Sequence, residues 1–369
     1  MDGKAYEGIE KQMQRVCRRF GLGEYLRFQR LDGGHINDTY RVYVREYTHE
    51  KEYVLQKVNT FVFQNPTAVM ENIAAVTNYL QMQGGGCIGL RYFATADGAY
   101  YLCDESGFWR CCLYIGNSVS YEHTDNLQIV EQSGKAFGSF ARRLMDYPVH
   151  TLHIVIPHFH NTVRRYEALK QAEQSDTCDR RKQAVALLQG YYDLHESATK
   201  PYRMQRAGIL PLRVTHNDTK LSNVLFDRRT NEYISVIDLD TVMPGLTAFD
   251  FGDAIRAGAS TAGEDETDLG KVALDMEKYK AFTRGYIGAL KGSVSAEELQ
   301  CLSLGALAMT AECGVRFLTD YLQGDRYFRV GYPTQNFDRA RCHLRLAQDM
   351  LAKQKDMQAI VNFYIKTVE

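Results

Sequence analysis

The run His216-Asn-Asp-Thr-Lys-Leu-Ser-Asn223 sets a carboxylate at Asp218, an ammonium two residues on at Lys220 and a carboxamide five residues on at Asn223. An apolar, β-branched stretch, Ile234-Ser-Val-Ile237, then ends in a second acid, Asp238, twenty residues after the first. Acid, amide and strand-end acid at this spacing form the skeleton of a phosphoryl-transfer site of the kinase type. The first acid accepts the proton of an attacking hydroxyl, while the amide and the second acid hold Mg2+ against nucleotide phosphates. A short loop can offer a base and, one turn later, a hard oxygen ligand. The next strand returns beneath it with a second oxygen, the donor magnesium favours. Lys220 stands where many kinases keep a phosphate-contacting lysine. Asp218 and Lys220 are therefore the candidate catalytic residues, and Asn223 and Asp238 the candidate metal ligands. The bland alternative is an ordinary turn, since Asp and Asn favour turns.

Phe249-Asp-Phe-Gly-Asp253 carries the letters of the protein-kinase magnesium motif but lies thirty-two residues beyond Asp218 and has no β-branched strand directly before it. Asp250 is expected to brace the catalytic loop by accepting backbone N–H bonds instead. Asp240, expected on the same strand face as Asp238, is either a second metal contact or a solvated acid.

These residues need a scaffold. The first third reads as a small sheet with one helix. Leu31 to Tyr40 is a glycine turn flanked by strand-like residues, Tyr40–Glu46 and Tyr53–Val58 alternate as strands, and Thr67–Met82 has one apolar helical face. Further strands are expected over Arg91–Ala94, Tyr100–Cys103 and Trp109–Ile115. Helical patterns then dominate: Asp125–Tyr147, Thr162–Glu173, Asp179–Glu196, Asp275–Leu290, Ala296–Tyr321 and Phe337–Lys366. The fold class is α+β in two lobes, a small β-rich nucleotide-binding lobe over 1–115 and a larger, mainly helical catalytic lobe over 116–369. A nucleotide is expected with Tyr114-Ile115-Gly116 as hinge. Gly33 and Gly34 suit a flap over the phosphates, because glycine lets backbone approach an anion closely. Glu71 is the candidate to orient a phosphate-binding side chain.

The chain has 369 residues, 45% hydrophobic and 24% charged, which is globular and enough for two cores. A net charge of −1 gives no bulk field for nucleic acid or anionic membrane. Nine cysteines without a CxxC pair read as reduced thiols of a cytoplasmic protein. No run of eighteen apolar residues occurs, so no membrane partner is expected. His158-Phe-His160 could pair on a strand face as metal ligands, but without a third ligand structural hydrogen bonding is the expectation.

Three runs, Leu212–Asn223, Val236–Gly245 and Phe249–Gly258, resemble the aminoglycoside-phosphotransferase-like (protein-kinase-like) superfamily, and within it the bacterial N-acetylhexosamine 1-kinases. Asp32–Asn37, Val119–Tyr121 and Glu312–Leu318 extend the resemblance over most of the chain. It implies phosphorylation by ATP and Mg2+ of the anomeric hydroxyl of N-acetylglucosamine or N-acetylgalactosamine. By motif match Asp218 is the base and Asn223 and Asp238 the metal ligands. His35 and Asn37 approach sugar or phosphates, and Arg316 and Tyr327 line the sugar pocket. One departure stands out. Tyr53-Val-Leu-Gln-Lys57 should end in a basic residue over the phosphates, yet Gln56 holds that slot and Lys57 follows it. Neighbouring strand residues face opposite ways, so either Gln56 serves as a neutral donor or a bulge turns Lys57 inward. The rival readings are a kinase of another small hydroxyl compound (another hexose, an aminoglycoside, choline or homoserine) and a catalytically silent kinase-like binding protein.

Overall fold

The computed structural model describes residues 3–31, 36–84, 90–290 and 292–368. The chain forms two compact units. One comprises Met1–Ser118 with Thr151–Ile156 and Ile237–Val242, and the other Val119–His150, Pro157–Val236 and Met243–Glu369.

In the first unit, helix α1 (Gly3–Arg19) precedes strands β1 (Glu24–Leu31), β2 (Asp38–Glu46) and β3 (His49–Val58). Helix α2 (Pro66–Met82) follows, then β4 (Leu102–Asp104) and β5 (Gly107–Leu113). The five strands make one antiparallel sheet in the order β1-β2-β3-β5-β4. Alternation sorts its faces. Tyr40, Val42, Val44, Tyr53, Leu55, Trp109 and Cys111 pack in one core with Met13, Val16 and Cys17 of α1. Asn65 caps α2, its side chain accepting from the Ala68 amide with Pro66 opening the helix. The strand expected over Arg91–Ala94 reduces to a single bridge, Tyr92 to Cys112.

The second unit is mainly helical. It holds α3 (Leu127–Arg143), α4 (Thr162–Ser175) and α5 (Arg181–Arg206). After the two-residue β6 (Ser118–Val119) its strands are short: β7 (Arg213–Thr215) pairs with β10 (Met243–Gly245), and β8 (Val224–Asp227) with β9 (Tyr233–Val236). Helices α6 (Thr247–Gly258), α7 (Met276–Leu290), α8 (Ala296–Gln300), α9 (Leu302–Leu322), α10 (Gln335–Ala352) and α11 (Gln354–Val368) complete it. The helix expected over Ala296–Tyr321 is interrupted at Cys301, and that over Phe337–Lys366 at Lys353. Glycines let two helix pairs touch through backbone. A Cβ on Gly134 of α3 would fall 2.3 Å from the Phe282 carbonyl oxygen of α7, and one on Gly252 of α6 would fall 2.3 Å from the Gly305 carbonyl oxygen of α9. Among the described residues no helix is long and apolar enough to cross a membrane.

Candidate active site

Asp218 follows β7 on a loop held by its own backbone. The amides of His216 and Asn217 donate to the two carboxylate oxygens of Asp250, each at 2.8 Å. The Thr219 amide donates to Asp253 Oδ2 at 3.2 Å, and the Thr219 hydroxyl to the Asp250 carbonyl at 2.6 Å. Both acids project from α6, so the Phe249–Asp253 run is a helical clamp on the loop, as expected for Asp250. Asp253 was not singled out by motif reading; its three-residue spacing from Asp250 on one helix face is the signal that finds it. Burial pushes the Asp250 carboxyl up to about 6 against the pull of His216 and the two amides. Asp253 is held below its usual value: burial works upward, and Arg256 and His160 outweigh it. His216 is fully buried between Phe137 and Phe140, and its Nδ1 accepts from the Asp218 amide at 3.3 Å. Asn217 takes a left-handed φ of 63°. Gly245 allows β10 to close on the loop, for a Cβ there would lie 2.2 Å from Thr215 Oγ1 and 2.8 Å from Asn217 Oδ1.

The loop so held presents three side chains together. Lys220 Nζ lies 3.0 Å from Asp218 Oδ2, and Asn223 Nδ2 donates to the same oxygen at 3.0 Å and to the Asp218 carbonyl at 2.8 Å. Both members of the Asp218–Lys220 pair remain about one-third exposed. A carboxylate flanked by two donors, open to solvent on a rigid loop, can take a hydroxyl proton. With its nitrogen bonded to Asp218, Asn223 has its carbonyl oxygen as the atom left for a cation.

Asp238, two residues beyond β9 and at the start of the turn Leu239–Thr241, takes a left-handed conformation, φ 61° and ψ 63°, uncommon for a residue with a side chain. Asp240 corrects one expectation. Its residue lies in a 3-10 turn over Leu239–Thr241 rather than on a strand, and it is buried, not solvated. It is ion-paired with Arg110 Nη1 and accepts from Asn37 Nδ2 at 2.8 Å. The oxygen donors of Asn223 and Asp238 fit magnesium chemistry. Among the described residues no three of His, Cys, Asp and Glu gather as a metal cluster, and magnesium is commonly held by one or two protein oxygens with waters and phosphates completing its shell.

The other candidates fall as follows. Gly33, Gly34 and His35 lie outside the described residues. Asn37 is committed within the protein at both ends of its amide, to Asp240 and to the Asn59 amide, which donates to its Oδ1 at 2.9 Å. Glu71 is exposed and pairs with His153 at 2.7 Å, so the residue it orients is a histidine and not Gln56 or Lys57. The Gln56–Lys57 question has a clear geometry. The β2–β3 and β3–β5 registers run without a bulge, so Lys57 shares its face with Leu55 and Trp109, and its chain lies over Gly107. Gln56 takes the other face, donating to Thr39 Oγ1 at 3.1 Å and accepting from Arg110 Nε at 2.9 Å. At the hinge, the Tyr114 amide donates to the Glu52 carbonyl at 3.2 Å and the Ile115 carbonyl accepts from Ser118 Oγ at 2.6 Å. Half of this pair's backbone groups are thus used internally. The Arg41 guanidinium covers the Tyr114 ring at 4.0 Å.

Arg316 and Tyr327 do come together. The Arg316 guanidinium lies 5.9 Å from the Tyr327 and Phe159 rings and 5.3 Å from Phe328. Arg165 adds a second guanidinium, donating to the Phe159 carbonyl at 2.8 Å, with its Nε buried and unbonded among the described residues. Burial first, then Arg316, lowers its pKa. Beside them His160 is no strand-face ligand, for His158 and His160 lie in turns and His158 has a φ of 58°. His160 Nδ1 bonds the buried Glu312 at 2.9 Å, and Glu312 also accepts from Thr162 at 2.7 Å. Burial alone would lower the His160 pKa; Glu312 outweighs it and the net shift is upward. Glu312 is held below its usual range, since His160 and Thr162 overcome the upward push of burial.

A clamped acidic loop, an acid in the turn after β9 and a five-stranded antiparallel sheet define a kinase-like α+β protein. The chain belongs to the phosphotransferase enzyme family designated APH, whose model matches residues 27–282. Solved structures with this fold include an aminoglycoside phosphotransferase from Alicyclobacillus acidocaldarius, 13% identical over 92% of both chains with a TM-score of 0.58. A choline kinase from Cryptosporidium parvum is 12% identical over 96% of this chain and 99% of its own, with a TM-score of 0.58. A spectinomycin phosphotransferase solved with ADP and spectinomycin is 14% identical over 94% and 98%, with a TM-score of 0.57.

Proposed function

We propose that this phosphotransferase uses MgATP to phosphorylate the anomeric hydroxyl of an N-acetylhexosamine, N-acetylglucosamine or N-acetylgalactosamine. The observation that carries the transfer chemistry is the Asp218 carboxylate, exposed between Lys220 and Asn223 on a loop whose backbone is fixed by Asp250 and Asp253. In this reading Asp218 takes the O1 proton and Lys220 steadies the transferring charge. Asn223 and Asp238 hold the magnesium, which when bound neutralises charge on the nucleotide phosphates. An anomeric hydroxyl is more acidic than an ordinary sugar alcohol, so positioning and electrostatics matter more than base strength. A nucleotide-bound phosphotransferase among the structures of this fold supports ATP as donor.

Charge selects the acceptor. Arg316 lies against the Phe159, Tyr327 and Phe328 rings, and Arg165, bonded to the Phe159 carbonyl, adds a second guanidinium. Such a cluster repels the cationic amines that an aminoglycoside or choline would bring, and suits a neutral ring with carbonyl and hydroxyl oxygens to accept hydrogen bonds. The test is chemical. With MgATP, at least one free N-acetylhexosamine is phosphorylated, its reducing end lost and its anomeric proton coupled to phosphorus. The methyl glycosides of both sugars, blocked at O1, are not. Phosphorylation of a blocked sugar at a rate near that of the free one overturns the anomeric reading in favour of a kinase for another hydroxyl.

A further inference from the structure

Strand β5 is the most buried strand of the sheet, and in its middle stands Arg110, 1% exposed between Trp109 and Cys111, each 0%. Removing a guanidinium from water is costly unless its donors are matched. Two of the three nitrogens are: Nε donates to Gln56 Oε1 at 2.9 Å, and Nη1 pairs with Asp240 Oδ1. The third, Nη2, is buried with no hydrogen-bond partner among the described residues.

The register explains why the arginine is there. Thr39, Gln56 and Arg110 are laterally paired across β2, β3 and β5 and so share one face. Lys57 is on the other. The cation of this row therefore comes from β5, one strand away from the slot where the wider kinase pattern puts it. Gln56 relays between Thr39 and Arg110 rather than serving as a free donor. What Arg110 meets is the segment carrying the candidate metal acid. Asp240 is its ion partner, and Asp238 lies within the range of its charge, as it does for the Tyr92 hydroxyl beside them. Asn37 holds the other oxygen of Asp240. A left-handed residue flanked by a buried ion pair is held on one side by that pair.

We propose that Arg110 is a positioning residue for magnesium–nucleotide binding: by neutralising and anchoring Asp240 it fixes the turn that presents Asp238, and it supplies this face of the sheet with the positive charge that β3 lacks. Outer partners of metal ligands act in this way on affinity without touching the ion. The inference rests on the MgATP reading and goes beyond it by naming a residue outside the transfer motifs. A purely structural ion pair would predict no link to metal. Asp240 acting as a ligand restrained by Arg110 would predict tighter metal binding once the arginine is neutral.

The test measures ADP binding by calorimetry across a magnesium titration, with unfolding temperature recorded for each protein. The variants are Arg110→Gln, the neutral pair Arg110→Gln/Asp240→Asn, which leaves no buried charge unpaired, and Arg110→Lys. The folded neutral pair is expected to need at least about tenfold more magnesium for half-saturation, the lower end of outer-partner effects, with metal-free ADP binding unchanged. Arg110→Lys should stay within about threefold of the wild type, since it keeps the charge. A neutral pair within about twofold of wild type, or tighter magnesium binding in Arg110→Gln, overturns the proposal. Failure of the underlying reading looks different: a wild type that binds ADP with no magnesium dependence brings down the MgATP assignment itself, and Arg110 with it. A magnesium-dependent wild type with indifferent variants overturns Arg110 alone.

Discussion

At Asp218 the useful property is asymmetry. One carboxylate oxygen is flanked by Lys220 and Asn223, while the loop beneath is rigid. Asp218→Asn should therefore cut turnover by at least ~10²-fold, the low end of general-base contributions, with nucleotide affinity little changed in calorimetry. Retention of more than about a tenth of the activity would remove Asp218 from this role. Asp238→Ala should abolish the magnesium dependence of ADP binding while the protein stays folded. The His160–Glu312 pair is a pH-dependent stabiliser whose sign follows from its two shifts. Glu312 is depressed, so its contribution is present above its usual 4.5 and lost as pH falls. His160 is raised, so its contribution is full below its usual 6.5 and lost as pH rises through the folded value. Glu312→Gln should thus lower the unfolding temperature more near pH ~6 than near pH ~9; an equal loss at both would mean that His160 is neutral throughout.

At the scale of elements, α6 decides whether the catalytic loop has one conformation. Asp250 accepts two buried backbone amides, and removing it leaves both unmatched. Asp250→Ala should lower stability by roughly 2–4 kcal/mol in denaturant titration, the cost of two buried donors left unpaired. Its effect on magnesium-dependent ADP binding should be small beside that of Asp238→Ala, and the opposite pattern would reassign the metal acid. The helix itself is seated by backbone contact between Gly252 and Gly305. Gly252→Val should destabilise by about 2 kcal/mol or more through overpacking and loosen the loop with it. Equal stability of the variant would show that α6 and α9 can part without strain.

For the whole molecule, balanced charge and globular composition leave the ligands to supply the bias. A ligand that binds only the folded chain adds stability by mass action, about 2.7 kcal/mol at a hundredfold excess over its Kd. MgADP should raise the unfolding temperature, and ADP with a chelator should raise it less. A free N-acetylhexosamine should add a further rise that choline and aminoglycosides do not. Stabilisation by the cationic compounds instead would move the acceptor reading to them.

The acids, the amide and their spacing could be read from the chain because short-range geometry sets them: a loop of fixed length between β7 and β8 keeps Asp218, Lys220 and Asn223 near one another, and α6 then fixes its conformation. Strand alternation likewise placed most of the sheet, and helical periodicity most of the helices. Asp250 as a loop brace was legible for the same reason, since a carboxylate without a strand before it has backbone amides as its natural partners. What periodicity could not show was register across strands. Only strand pairing puts Thr39, Gln56 and Arg110 in one row and turns Lys57 to the other face. Only the fold brings Arg110 to Asp240, 130 residues away, and makes a buried ion partner of an acid whose sequence context left it open between a metal contact and a solvated side chain. The pairings of Glu71 with His153 and of His160 with Glu312 are of the same kind. Local sequence carries dihedral preference and facing; a long-range ion pair depends on which surfaces burial brings together, and no spacing along the chain encodes that.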